Sequence, residues 1–210
     1  HDTLDIMRAG NFGFDFGDYH DGFKEVHEAF HKPKFTVGDT GVPYRVIHHW
    51  EENDLLPGGF KNDGGWRSFS LVEMAWLRII CHLRLFGMSL EQIKKAKDGI
   101  IAWDFERKKY DLFEFFLSRA VALNLNTYAV VDKNGRAGLA TEQDIEIYKF
   151  VNKDPDLLLI SLKGIMRELG FDVVPSKMLS LSDMDIAENL SGDVKEIKIG
   201  KKKSGEKEVE

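Results

Sequence analysis

Four shortages narrow what this chain can do. It holds a single cysteine, Cys81, in 210 residues. That excludes an internal disulfide framework and any metal site built from several thiolates. Cys81 stands in an apolar run, WLRIICHL, and reads as a small buried hydrophobe rather than a reactive thiol. A reducing compartment suits such a chain. Long hydrophobic runs are missing as well. No stretch approaches the ~18 uninterrupted apolar residues of a membrane helix, so no membrane partner is expected. The start, HDTLDIMRAGNFGFDFGDYH, lacks the basic opening and apolar block of a secretion signal, and the expected location is cytoplasmic. The first residue is His1 rather than Met, which suggests a lost upstream piece or a tag remnant. No nucleophile–base pair or phosphate loop stands out, so neither an enzyme nor a cofactor is expected.

Positive charge is the fourth shortage, with a net charge of −6. Its distribution is uneven. Residues 1–31 carry two basic and seven acidic residues, and residues 98–194 carry eleven and seventeen. Residues 32–97 carry ten basic and seven acidic residues, with His48, His49 and His82 in addition. The basic segment can meet phosphate, while the acidic flanks leave faces for a protein partner.

Residues 1–33 read as an acidic arm rich in glycine and aromatics, ending in a short helix over DGFKEVHEAFHKP. Asp21 would cap that helix and Pro33 would stop it. His27 and His31 stand at i, i+4, a spacing that can clamp a metal. With His20 they form the single constellation that suggests one, and Glu28 and Asp18 could add oxygen ligands. Histidines so spaced on an exposed helix are ordinarily solvated, and no metal is assigned.

The organising stretch is residues 34–99. Residues 35–39 read as the entry to a short first helix broken by Gly41. Pro43 suits the first turn of a second helix, where its missing N–H is not needed. That helix places Val46, Ile47 and Trp50 inward and leaves Tyr44, Arg45, His48 and His49 on the outer side. A recognition helix needs this division, although any amphipathic helix shows it. Gly58-Gly59 and Gly64-Gly65 bracket a small hairpin carrying Lys61 and Arg67. Ser70 with Glu73, and Ser89 with Gln92, are the S-x-x-E/Q pattern of a capping box. Each opens a further helix, the first stopped by Gly87 and the second by Gly99.

Taken together, GVPYRVIHHWEENDLLP, GGWRSFS and LRIICHLRLFGMSLEQIKKA resemble the DNA-binding domain of the MerR family of transcriptional regulators. The resemblance covers residues 35–97 and implies a winged helix-turn-helix. It implies Thr36 and Arg67 as phosphate contacts, and Tyr44, Arg45, His48 and His49 as groove-facing residues; the hairpin itself adds Lys61, which with Arg67 could straddle a phosphate backbone. It also implies a homodimer on double-stranded DNA. Two departures stand out. The family's first helix is several residues longer, and its usual Thr-hydrophobic-Arg-Tyr run is here Val46-Ile47-His48-His49. Two histidines there could make binding pH-dependent.

Beyond residue 99 the chain reads as a linking or dimerisation helix over 100–125, then a small α+β unit over 126–176, then a polar, disordered tail over 177–210. Phe113, Leu117 and Ala120 keep a three-four spacing that Leu112, Phe115 and Phe116 widen, so the C-terminal region, a second subunit or both must cover that helix. Asn134-Gly135 between apolar runs predicts a hairpin, and Thr141 is a helix cap. The expected fold is mainly α with small β. The expected function is a sequence-specific DNA-binding regulator of transcription. An excision or architectural factor of a mobile element, and a protein-interaction module that has lost DNA binding, stand as alternatives.

Overall fold

The computed structural model describes residues 24–57, 67–101, 111–122, 124–152 and 156–171. Within them the chain opens with helix α1 (Lys24–His31), strand β1 (Phe35–Thr36), a 3-10 turn (Gly38–Thr40) and helix α2 (Tyr44–Glu52). Strand β2 (Ser68–Phe69) leads into helix α3 (Leu71–Leu85) and helix α4 (Leu90–Ile100). Helix α5 (Asp111–Ala122) is followed by β3 (Thr127–Asp132), β4 (Ala137–Thr141), α6 (Glu142–Asn152), β5 (Leu157–Ser161) and α7 (Leu162–Glu168). The architecture is mainly helical with two small sheets, as the sequence predicts.

Local chemistry accounts for most element ends. Both capping boxes form reciprocally, Ser70 with Glu73 and Ser89 with Gln92. Each satisfies two backbone N–H groups that a helix start leaves open. Burial at the Ser70 cap pushes the Glu73 carboxyl up, although the Ser70 N–H donates to it. Helix α6 starts on a third reciprocal pair: Asp144 N–H donates to Thr141 Oγ1, and Thr141 N–H donates back to Asp144 Oδ2 at 2.8 Å.

The expectation of a helical entry over residues 35–39 is corrected. Phe35 and Thr36 are extended and pair antiparallel with Phe69 and Ser68. A 3-10 turn follows and ends at Gly41, whose φ of +65° suits a residue without a Cβ. The pairing holds the strand that leads into α3 against the strand that precedes α2. The expected outer strand at Lys61 and the linking residues 102–110 lie outside the described residues, as do the Asp21 cap and the tail.

The three-stranded sheet has the order β4-β3-β5, all antiparallel. Strand alternation splits it into two faces. Ala129, Val131, Leu139 and Ile160 enter the main core, while Val130 and Ala140 pack with Ile145 beneath α6. The main core is continuous, running from Phe30 through Ile47, Trp76 and Ile93 to Phe113, Phe116 and Ile165. Helix α5 is therefore covered from within the chain. Phe113 and Leu117 are fully buried, against α7, β3, α3 and α1. Burying one such side chain contributes about 1.5–3 kcal/mol. Its width signalled a cover, and among the described residues that cover is α7 and β3 of the C-terminal unit together with α1 and α3.

The β3–β4 turn is built on Asp132. Its carboxylate accepts from the N–H groups of Asn134 and Arg136 and from Arg136 Nε, at 2.7–2.9 Å. Burial alone would raise the Asp132 pKa, but these bonds outweigh it and hold the carboxyl below its ordinary 3.8. A depressed folded pKa stabilises the fold at pH values above 3.8, and this contribution disappears as pH falls through the folded value. The stability gap between wild type and Asp132→Asn should thus be constant near neutrality and shrink below about pH 4. Urea titrations at stepped pH would measure it, and a gap that stays constant down to acid unfolding would contradict the assignment.

Candidate nucleic-acid interface

Helix α2 divides as a reading helix must. Ile47 and Trp50 are buried at 0% and 6% exposure, while Tyr44, Arg45, His48, His49 and Glu52 face outward. Arg45 holds no hydrogen bond or ion pair among the described residues, so its guanidinium is available to a ligand. Tyr44 stacks on His48 with ring centroids 6.1 Å apart. His48 also lies between two carboxylates, 3.8 Å from Glu51 and 3.6 Å from Glu52. His49 meets the Asn53 side chain, which also donates to the His49 carbonyl at 2.7 Å.

The remaining candidates are placed differently from one another. Thr36 is exposed, but its hydroxyl donates to Asp39 Oδ2 at 2.8 Å. Arg67 is mostly buried; its Nη1 donates to Glu51 Oε2 at 2.7 Å and its guanidinium lies over the Phe69 ring. It ties the wing base to α2, a pairing that spacing could not reveal because Glu51 and Arg67 are far apart in sequence. Lys61 and His20 lie outside the described residues, and so does the His27 side chain. His31 Nε2 lies 2.8 Å from Glu114 Oε2, and Glu114 is fully buried. Among the described residues no group of three or more His, Cys, Asp or Glu side chains could hold a metal ion.

Acidic neighbours temper the basic surface. Asp54, at φ +59°, accepts from Lys97 at 3.0 Å and pairs with Lys94 at 3.1 Å. The Lys97 hydrogen bond leads in holding the Asp54 carboxyl below its ordinary range. Lys97, largely covered, is thereby directed at the end of α2, while Lys94 reaches the same carboxylate from an exposed position. Burial raises the Cys81 thiol pKa, which leaves it a poor nucleophile.

No described helix is long and apolar enough to cross a membrane. Residues 36–100 match the family described as MerR HTH family regulatory protein. The chain is 36% identical over 88 residues to the nodulation protein NolA of Bradyrhizobium sp. (strain NC92), an alignment covering 41% of this chain and 37% of that protein. It is 35% identical over 85 residues to the nodulation protein NolA of Bradyrhizobium elkanii, covering 40% and 39%. The chain thus spans less than two fifths of the length of these curated relatives. No solved structure matches.

Proposed function

We propose that this chain, which carries a MerR-type helix-turn-helix segment at residues 36–100, is a sequence-specific DNA-binding regulator of transcription. The observation that carries the reading is α2 itself: Ile47 and Trp50 anchor it while Tyr44, Arg45, His48 and His49 stand outward together. Arg45 and the two histidines enter the major groove. Thr36, Lys61 and Arg67 meet the flanking backbone, Arg67 by exchanging its Glu51 contact for phosphate. Phosphate contacts set register and affinity, and base contacts set specificity. The protein acts in the cytoplasm as a homodimer, without catalysis or a cofactor. Its acidic C-terminal unit is the surface for a protein partner.

Sequencing of source DNA captured by the purified protein tests the reading. One enriched inverted repeat beside a promoter supports a dimeric regulator. Clustered direct repeats beside a recombination site would favour an excision or architectural factor. Failure to enrich any duplex, even at low salt, would leave an interaction module without DNA binding. Arg45→Ala is expected to cost about 1–3 kcal/mol on the enriched site and to relax preference at one base pair. Binding to a set of single-base variants of the site would show this, and an unchanged preference profile would remove Arg45 from base reading.

A further inference from the structure

We propose that Arg78, on helix α3, is a further contact for the DNA backbone, reaching it past the turn at Gly41. The inference rests on the DNA-binding reading above and adds a residue that lies outside the candidate set read from the sequence.

Arg78 sits in the middle of α3 between Leu77 and Ile79, both buried. It is itself half-buried, and its Nε is shielded from solvent without a hydrogen-bond partner. Among the described residues its guanidinium forms no hydrogen bond and no ion pair. The neighbouring arginines of the head that are held in place have protein partners: Arg67 has Glu51 and Arg84 has the Met88 carbonyl. Asp39, in the turn that ends at Gly41, is engaged by the Thr36 hydroxyl and N–H. An arginine serving only to brace the turn would bond to the turn's carbonyls, and Arg78 does not.

Its position gives the unused charge a purpose. A Cβ built on Gly41 would lie 3.7 Å from Arg78 Nη1 and 3.9 Å from Nη2. Gly41 is exposed and stands just before Pro43, which opens α2. The guanidinium fork therefore lies at the threshold of the reading helix, with no side chain from Gly41 over it. A duplex whose groove receives the outer face of α2 brings a phosphate strand along this side. Two oxygens of one phosphate suit the parallel N–H groups of a guanidinium, and a phosphate carries no base identity. Arg78 would thus add affinity without adding specificity.

The test uses the full chain and a short random-sequence duplex, with binding followed by fluorescence anisotropy across a salt series. Arg78→Gln should reduce the slope of log affinity against log salt by about 0.9, the value for one lost phosphate contact. The wild-type advantage should then shrink by about three- to fourfold for each fourfold rise in salt. Arg78→Lys should retain most of the slope. A wild-type slope in a folded Arg78→Gln variant would overturn the proposal while leaving DNA binding intact. Failure of the wild type to bind any duplex would overturn both. Should Arg78→Gln fail to fold, Gly41→Asn provides the second arm, because asparagine tolerates positive φ and would lay a side chain over the fork. A reduced slope there supports the contact, and an unchanged one refutes it.

Discussion

Trp76→Ala is expected to lower the unfolding free energy by about 3–5 kcal/mol, the range for truncating a large buried aromatic. Trp76 is fully buried in α3, and its indole N–H donates to the Leu55 carbonyl at 2.8 Å. Leu55 stands three residues beyond the end of α2, so the indole both fills the core and pins the chain as it leaves α2. The substitution leaves a cavity and an unpaired buried carbonyl, and the second loss alone costs about 1–3 kcal/mol. For a chain of this size the melting temperature should fall by roughly 6–20 °C. Calorimetry of the purified variant would measure it. Trp76→Phe, which keeps much of the packing but not the donor, should fall between the two. A fall of no more than about 2 °C in Trp76→Ala would mean the site collapses without loss, and the pinning role would have to be abandoned.

The second large effect is at Gly135, the tip of the β3–β4 turn. Its φ is +83°, and a Cβ added there would stand 2.6 Å from the Gln92 carbonyl oxygen and 2.8 Å from the Gln92 Cα. Both obstacles are helix backbone and cannot rotate aside. Gly135→Ala would therefore combine left-handed strain of about 1–2 kcal/mol with overpacking of about 1–3 kcal/mol. The turn would have to lift from α4, breaking the bond from Gln92 Nε2 to the Lys133 carbonyl at 2.9 Å. Gln92→Ala loses that bond, and the Ser89 N–H bond of the α4 capping box, while leaving the close approach intact. Hydrogen exchange separates the two: Gly135→Ala should reduce protection in the β3–β4 turn and α4 together, whereas Gln92→Ala should leave the turn largely protected. Native protection in Gly135→Ala would show that this contact does not hold the unit in place.

Much of the head was legible because its signals are local. The boxes at Ser70 and Ser89, the helix from Tyr44, the Asn134-Gly135 turn and the Thr141 cap each depend on residues within one turn of one another. Features set by distant partners were not legible. A two-residue strand has no period, so the pairing of Phe35 with Phe69 left no trace in composition. The apolar face of α5 announced that something covers it, but the same pattern serves a second subunit or a folded-back sheet. Among the binding candidates, the outward set on α2 followed from helical spacing. The Glu51 partner of Arg67 and the Asp39 partner of Thr36 did not follow from the family resemblance, which supplies positions and not local charge. Arg78 was overlooked because an arginine within an apolar helix reads as a solvated edge until its lack of a partner can be seen.

The continuous core has a consequence for grafting. The segment that the family model matches is the head, residues 36–100, yet here α3 packs on α7 and α4 on β4. His82 reaches Glu168, and Gln92 lies against Gly135. A head transplanted onto another protein's body would carry half of a fitted seam and leave its apolar side bare. Chimaeras cut at residue 101 should then need resurfacing of α3 and α4 to stay in solution. Inheritance of such a head through recombination would favour junctions that move the sheet along with it.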